Sequence, residues 1–290
     1  MKLETFAFAR SFLKRRSGLV LGDDKRDLLE NRLLPVARNQ SYATLDELIE
    51  RLRSGDDERL ERAIVDAMTT NETSFFRDGY PFELFAGRVL PALLKARENQ
   101  PIRIWSAAAS TGQEPYSIAI CLAEAGIPAC SAKILATDLS FEALERARAG
   151  IYSQTEIRRG LPPPLLDKYF VKDQRNWKVK NCLKQRVRFR AFNLLDLDHQ
   201  FGRFDVIFCR NVLIYFEPST KADILKRLAD LLEADGFLVL GATERVEGAS
   251  PAFRPLGAER KGVFQPVVAL DKPADARSLA QAIPRRLNTR

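Results

Sequence analysis

Apolar positions in the first seventy residues recur at helical spacing. Phe8, Phe12 and Leu13 share one face within residues 1–22. Leu45, Leu48, Ile49 and Leu52 share a second face, and Leu60, Ile64, Val65 and Met68 repeat the pattern over 57–68. These spacings predict a small helical unit over 1–70. It runs into a stretch that is polar and then aromatic, Thr69 to Asp78, which suits a specialised loop, and then into a helix over 81–98 stopped by Asn99, Gln100 and Pro101. Residues 71–101 read as that loop and a linking helix.

From Ile102 onward the period changes. Short apolar runs at 103–108, 133–138, 187–192, 204–209 and 236–241 predict strands, and they alternate with helical patterns at 114–125, 141–149 and 219–233. Residues 253–267 look like a hairpin at the sheet edge, centred on Gly257 and Gly262. Alternation of this kind predicts an α/β fold, a doubly wound Rossmann-like parallel sheet over 102–267, interrupted at 151–190. Residues 268–290 hold too few large apolar side chains to order themselves and are expected to form a mobile tail.

Composition narrows the class without naming it. With 290 residues, 46% hydrophobic and 29% charged, a disordered or fibrous chain is excluded. No apolar run approaches the ~18 residues of a membrane span, and the charges of the amino terminus are interleaved with Phe6, Phe8 and Phe12, as in an amphipathic helix and not a signal peptide. A cytoplasmic monomer without membrane insertion is expected. Four cysteines without a C-x-x-C spacing and one histidine, His199, argue against a zinc site or a histidine-based triad, so no metal is expected. The net charge of +8 is concentrated. Residues 151–190 carry eleven lysines and arginines against three acids, which reads either as a solvated strand edge or as a landing surface for an acidic partner.

In doubly wound sheets the ligand lies at the carboxyl ends of the strands. Here those ends offer Ser110-Thr111-Gly112 and Asp138. A carboxylate at the end of the second strand can accept from both hydroxyls of a ribose. The first turn has one glycine where a dinucleotide fingerprint needs three, so a nucleoside without phosphates fits better, S-adenosyl-L-methionine foremost. Read conservatively, Gly112 makes a tight turn and Asp138 caps the next helix, with Ser140 an equally good cap.

A longer string adds to this reading. Ile104-Trp105-Ser106-Ala107-Ala108-Ala109-Ser110-Thr111-Gly112-Gln113-Glu114-Pro115-Tyr116-Ser117 is preceded by Asn71-Glu72-Thr73-Ser74-Phe75-Phe76-Arg77. It is followed by Phe208-Cys209-Arg210-Asn211-Val212-Leu213-Ile214-Tyr215-Phe216. The three motifs, in this order, closely resemble the chemotaxis receptor methyltransferases, the CheR family, and the likeness extends to about Val267. The chain departs at Ala108, where many members have glycine, at Ala109, where cysteine is frequent, and at Gln113, where the first of two glutamates is usual. Glu114 is therefore the position carried over.

The resemblance implies a helical amino-terminal domain, an S-adenosylmethionine-dependent methyltransferase domain and a small antiparallel β insert at 151–190. It implies that Asn71, Thr73 and Arg77 touch the methionyl end of the cofactor, Arg77 at its carboxylate. Glu114 would lie near the ammonium, Asp138 on the ribose, and Asn193, Leu194, Arg210 and Asn211 around the adenine and the far side of the pocket. Trp105, Phe75 and Phe76 are expected in the core. The implied partner is a chemoreceptor cytoplasmic helical bundle, with no nucleic acid; the acceptor is a glutamate side chain and the coproduct S-adenosyl-L-homocysteine. A glutamate is already ionised at neutral pH, so no general base is needed; Tyr215 is the candidate for orienting it by a hydroxyl hydrogen bond, and reads equally well as an aromatic packed under the floor of the site. Two other classes stay in view: an RNA methyltransferase using the basic insert, and a non-catalytic scaffold sensing the cofactor. Some family members grip a receptor pentapeptide tether on the insert through a longer loop. Here Lys172 to Trp177 is the whole connection, which points to tether independence.

Overall fold

In the computed structural model, which describes residues 1–267 except 56, 99, 197–200, 247, 249 and 257–261, the expected helical unit holds four helices, one more than the three amphipathic stretches named from the sequence, the addition being 26–39. They are α1 (Leu3–Ser17), α2 (Arg26–Asn39), α3 (Leu45–Arg53) and α4 (Glu58–Met68). Their apolar faces meet in one cluster where Phe12, Leu13, Leu29, Leu33, Leu48, Ile49 and Ile64 are buried. Thr44 and Asp57 start α3 and α4 by accepting backbone N–H bonds from Glu47 and Leu60, each cap contributing about 1 kcal/mol. The expected helix over 81–98 is wound unevenly: α5 (Tyr80–Leu84), a π-wound segment at Phe85–Val89, then α6 (Leu90–Arg97). Pro91 has no N–H to give the regular ladder, and the wide turn lies just before it.

The α/β part begins with β1 (Ile102–Ala107), α7 (Gln113–Glu124), β2 (Ala132–Asp138) and α8 (Phe141–Ala149). The insert follows: β3 (Ile151–Ser153), α9 (Gln154–Arg158), α10 (Pro163–Tyr169), β4 (Phe170–Asp173), β5 (Asn176–Val179) and α11 (Asn181–Lys184). The chain then returns through β6 (Val187–Ala191), β7 (Phe204–Cys209), α12 (Pro218–Asp230), β8 (Leu232–Val239), β9 (Phe253–Pro255) and β10 (Val263–Pro266). Seven strands form one sheet in the order β6-β2-β1-β7-β8-β10-β9. The first five are mutually parallel, and β10 is antiparallel to both β8 and β9. Strand order reverses between β1 and β7, so the crevice at their carboxyl ends is the topological switch point. Trp105 and Phe75 are buried and Phe76 is half-buried. Every residue of β7 is buried, and its one charge, Asp205, is neutralised by Arg97 and accepts the Arg103 N–H.

Two boundaries differ from expectation. The helix expected to run to 233 ends at Asp230, and the strand expected from 236 starts at Leu232. Leu231 and Leu232 satisfy a helical and a strand pattern equally well; tertiary pairing of Leu232 with Phe204 decides for the strand, with a register shift before Val206. The insert is a three-stranded antiparallel sheet in the order β3-β5-β4. The connection expected over Lys172 to Trp177 is shorter still, because Lys172 pairs with Trp177 and Asp173 with Asn176; Gln174 and Arg175 form the whole turn between β4 and β5, Gln174 taking a left-handed φ of 54°. Tyr152, Phe170 and Val179 face the core, while Ile151, Lys178 and Val171 form an exposed cross-strand row. Among the described residues no helix is long and apolar enough to cross a membrane, and no cluster of His, Cys, Asp or Glu could hold a metal. His199, Gly257 and the tail from 268 lie outside the described residues.

Gly112 fixes how these layers meet. It sits at φ 96°, and a Cβ there would lie 2.8 Å from the Ala147 Cβ on α8 and 2.9 Å from the Tyr152 hydroxyl of the insert. Alanine at 112 is therefore expected to cost about 1–2 kcal/mol in backbone conformation alone, with the clash added. Thermal denaturation of Gly112→Ala should show a clearly lowered midpoint; an unchanged midpoint would mean that α8 and the insert do not close on this turn.

Candidate active site

The turn after β1 is built under strain. Ala108, Ser110 and Gly112 all have left-handed φ, at 64°, 50° and 96°. Ala108 thus adopts without a glycine a conformation that glycine tolerates best. The turn points the Ser110 N–H at Asp138, whose Oδ2 accepts it at 2.7 Å, while Oδ1 accepts the Ser140 N–H at 2.8 Å. Ser140 caps α8 through the Ala143 N–H, so Asp138 is not consumed as the cap. An ionised carboxylate has about four acceptor positions, and two remain for hydroxyl donors. Burial pushes the Asp138 carboxyl up from its ordinary value, against the pull of the Ser140 and Ser110 amides.

A second carboxylate lies across the switch point. Glu114, on the first turn of α7, accepts the Ser106 hydroxyl at 2.8 Å and Arg210 Nη1 at 3.0 Å. Burial raises its pKa from the usual value, while the charge of Arg210 and the Ser106 hydroxyl pull it down. Arg210, at the end of β7, also donates through Nη2 to the Arg77 carbonyl at 2.7 Å and to Asp78 Oδ2 at 2.8 Å, and its guanidinium lies over the Phe82 ring. Its Nε is buried without an acceptor. This one side chain ties together the segment from Asn71 to Asp78, the β1–α7 turn and the end of β7.

All ten residues expected at the site line one cleft that encloses about 1030 Å³ of atom-free space, open solvent included. Asn71, Thr73 and Arg77 come from the loop before α5; Asn193 and Leu194 follow β6; Arg210, Asn211 and Tyr215 follow β7. Within that cleft Arg210 sits at the Glu114 and Asp78 end, engaged by protein groups. Arg77 gives Nη1 to the Glu72 carbonyl at 2.8 Å. Asn193 spans two units, its Nδ2 donating to the Arg16 carbonyl at 2.8 Å and its Oδ1 accepting the Leu195 N–H. Sequence reasoning missed the wall supplied by the helical unit, Ser17, Leu19, Met68 and Thr69, because nothing in a helical period announces which end of a helix another domain will cover. It also missed Ser106 and Asp78. Both stood inside the quoted motifs or next to them and could have been found as polar residues flanking Glu114 and Arg77.

The lining fits S-adenosylmethionine. Two carboxylates, Glu114 and Asp138, and two guanidiniums, Arg77 and Arg210, line it, offering both signs of charge to a ligand that carries a sulfonium, an ammonium and a carboxylate. Asp138 keeps free acceptor positions for a ribose, and Arg210 Nε is a donor the chain leaves unsatisfied. Residues 71–261 match the CheR methyltransferase SAM-binding domain, and residues 4–69 its all-alpha domain. Fold and site together define an S-adenosylmethionine-dependent methyltransferase. The chain is 46% identical over 245 residues to chemotaxis protein methyltransferase 1 of Pseudomonas aeruginosa, covering 82% of this chain and 89% of that one. It is 44% identical over 250 residues to the chemotaxis protein methyltransferase of Vibrio parahaemolyticus, covering 83% and 89%. With the Escherichia coli chemotaxis protein methyltransferase the identity is 39% over 236 residues, covering 79% and 80%. The chain belongs to the CheR family of chemotaxis methyltransferases.

A pH dependence follows if Glu114 meets the ammonium. Burial raises its pKa in the free protein and a bound cation would lower it, so affinity is full above the raised value and is lost as pH falls through it. Calorimetric titration with S-adenosylmethionine from about pH 8 to about pH 5 should show affinity falling from above the ordinary glutamate range near 4.3. Asp138, raised in the same direction, adds to the slope. Glu114→Gln should flatten the curve in part; an identical curve in that variant would take Glu114 away from the ammonium.

Proposed function

We propose that the protein transfers the methyl group of S-adenosylmethionine to glutamate side chains of a chemoreceptor cytoplasmic helical bundle, giving glutamyl methyl esters for chemosensory adaptation. The observation that carries this reading is the convergence of the three motifs on Arg210, with all ten expected residues on one cleft. The cofactor supplies an electrophilic methyl on a good leaving group. Asp138 takes the ribose hydroxyls, Glu114 the ammonium and Arg77 the carboxylate; Asn71 and Thr73 line the methionyl end, and Asn193, Leu194 and Asn211 the remainder of the cleft. The chain's own work is alignment and exclusion of water, which in favourable cases accounts for roughly 7–11 kcal/mol of barrier. The acceptor carboxylate arrives ionised and needs no base.

Tyr215 lines the cleft half-buried, next to the exposed Ile214, where an incoming side chain would enter. Its hydroxyl orients the acceptor carboxylate by a charge-assisted bond. The direct test of the reaction is to incubate the protein with labelled S-adenosylmethionine and receptor cytoplasmic domains, then add mild base. Carboxyl methyl esters release volatile methanol, whereas N-methylated protein or RNA does not; base-stable label would refute the reading. Tyr215→Phe should lower turnover by about 1.5–3 kcal/mol, or roughly ten- to a hundredfold, with cofactor affinity nearly unchanged. Equal turnover would reduce Tyr215 to packing.

The basic insert is the receptor-facing surface in this proposal, with five of its charges already committed within the chain. Arg159 and Lys168 pair with Glu72 and Glu124; Lys180, Lys184 and Arg186 donate to backbone carbonyls. Arg158, Lys172, Arg175, Lys178 and Arg188 are exposed. The two-residue turn at Gln174 and Arg175 supports binding without a pentapeptide tether. Reversing Lys172, Arg175 and Lys178 together should lower receptor methylation at constant cofactor affinity. Wild-type methylation should fall as the Debye length shrinks from about 10 Å at 0.1 M salt to about 3 Å at 1 M. A receptor truncated at its carboxyl terminus should remain a substrate. Loss of methylation on truncation, with the reversals silent, would make the insert a peptide-binding module.

A further inference from the structure

The loop that carries Arg210, Asn211 and Tyr215 is not held by the sheet alone. Beyond Cys209 the chain leaves β7, and Asn211 takes a left-handed φ of 57°. Such a turn aims three successive backbone N–H groups the same way, forming a concavity for an anion. The anion is supplied by the chain. Glu244, beyond the end of β8 and only 2% exposed, accepts the Asn211 N–H on Oε2 at 2.7 Å, and the Val212 and Leu213 N–H groups on Oε1 at 3.1 and 2.8 Å. A fourth bond comes from the Gly241 N–H to Oε2 at 2.8 Å.

Gly241 shows how closely the two segments are fitted. A Cβ at 241 would lie 2.6 Å from Asn211 Nδ2 and 2.8 Å from Glu244 Oε2. All four of these partners of Glu244 are backbone N–H groups. Its charge is met by four peptide dipoles, an arrangement that holds backbone in one conformation more rigidly than a single side-chain bond can. The held segment is the one that leads, two residues on from Leu213, to Tyr215 on the cleft wall.

We propose that Glu244 is a positioning residue for methyl transfer: its carboxylate sets the turn at Asn211 to Leu213 and thereby fixes Tyr215 against the acceptor. It touches neither cofactor nor acceptor and acts through the loop. This rests on the reading of the cleft as the cofactor and acceptor site.

The variants are E244Q, in which an NH2 group replaces one acceptor and confronts two N–H donors, and G241A, which presses a methyl group on Asn211 and Glu244 while keeping the carboxylate. Three quantities are measured on the full chain well below its melting temperature: S-adenosylhomocysteine affinity, receptor methylation at saturating cofactor, and amide exchange at 211–213. Binding by the wild type is established first, and its absence would overturn the cleft assignment and this proposal with it. With binding intact, both variants should lose at least tenfold in kcat and less than about fivefold in cofactor affinity, with faster exchange at 211–213. Turnover per folded molecule equal to wild type in either variant, with only the melting temperature lowered, would overturn the proposal and leave Glu244 a structural residue.

Discussion

The guanidinium of Arg210 is the constraint on which the site depends. It is buried and faces two carboxylates, Glu114 and Asp78, as well as the Arg77 carbonyl. A buried cation of this kind contributes little to net stability, because its desolvation offsets most of its attraction, but removing one partner costs about 3–5 kcal/mol. Its value lies in geometry. Segments separated by about a hundred residues of sequence are pinned to one point, and Glu114 is held at the cleft with acceptor capacity to spare. Two acids around one base also keep this end of the cleft negative, the sign that a sulfonium and an ammonium require.

Strain is gathered in the same place. Among the described residues, eight other than glycine have positive φ, and five of them, Phe76, Asp78, Ala108, Ser110 and Asn211, lie in the three segments around the cleft. Four of the five are held by hydrogen bonds: Ser110 by Asp138 and by the Asn71 carbonyl, Asn211 by Glu244, Asp78 by Arg210, and Phe76 through its N–H to the Ser117 hydroxyl. The helical unit closes the remaining side. Lys14 pairs with Glu217, Asn193 reaches the Arg16 carbonyl, and Asp66 on α4 accepts the Phe141 N–H at the start of α8. Burial raises the Asp66 carboxyl, opposed by its bonds to Ser140 and Phe141. These contacts make the helical unit a wall of the cleft and not an appendage.

Much of this was legible in the sequence. Continuous apolar runs such as Phe204 to Cys209 mark strands buried on both faces, and helical spacing marks α3 and α4 to within a residue. Seven of the ten candidate residues were readable because three local motifs carried them; Asp138 was readable as the acid that ends the second strand, and Asn193 and Leu194 only through the family resemblance. What was not legible is long-range. Nothing near Arg210 in sequence says that its partners are Glu114 and Asp78, and nothing near Glu244 says that its four donors lie at Gly241 and across the loop from Asn211 to Leu213. The end of α12 failed for a related reason, since Leu231 and Leu232 suit either period until β7 offers a partner. Charge counting overstated the free basic surface of the insert, because a count cannot see that Lys180 and Lys184 are spent on backbone carbonyls.

The most direct test is a crystal structure of the full chain with S-adenosylhomocysteine. The account predicts the ribose hydroxyls on Asp138, the amino-acid end between Arg77 and Glu114, and Arg210 still bonded to Glu114, Asp78 and the Arg77 carbonyl. A ligand whose ribose lies away from Asp138, or an Arg210 swung off Glu114 to hold the ligand itself, would contradict it.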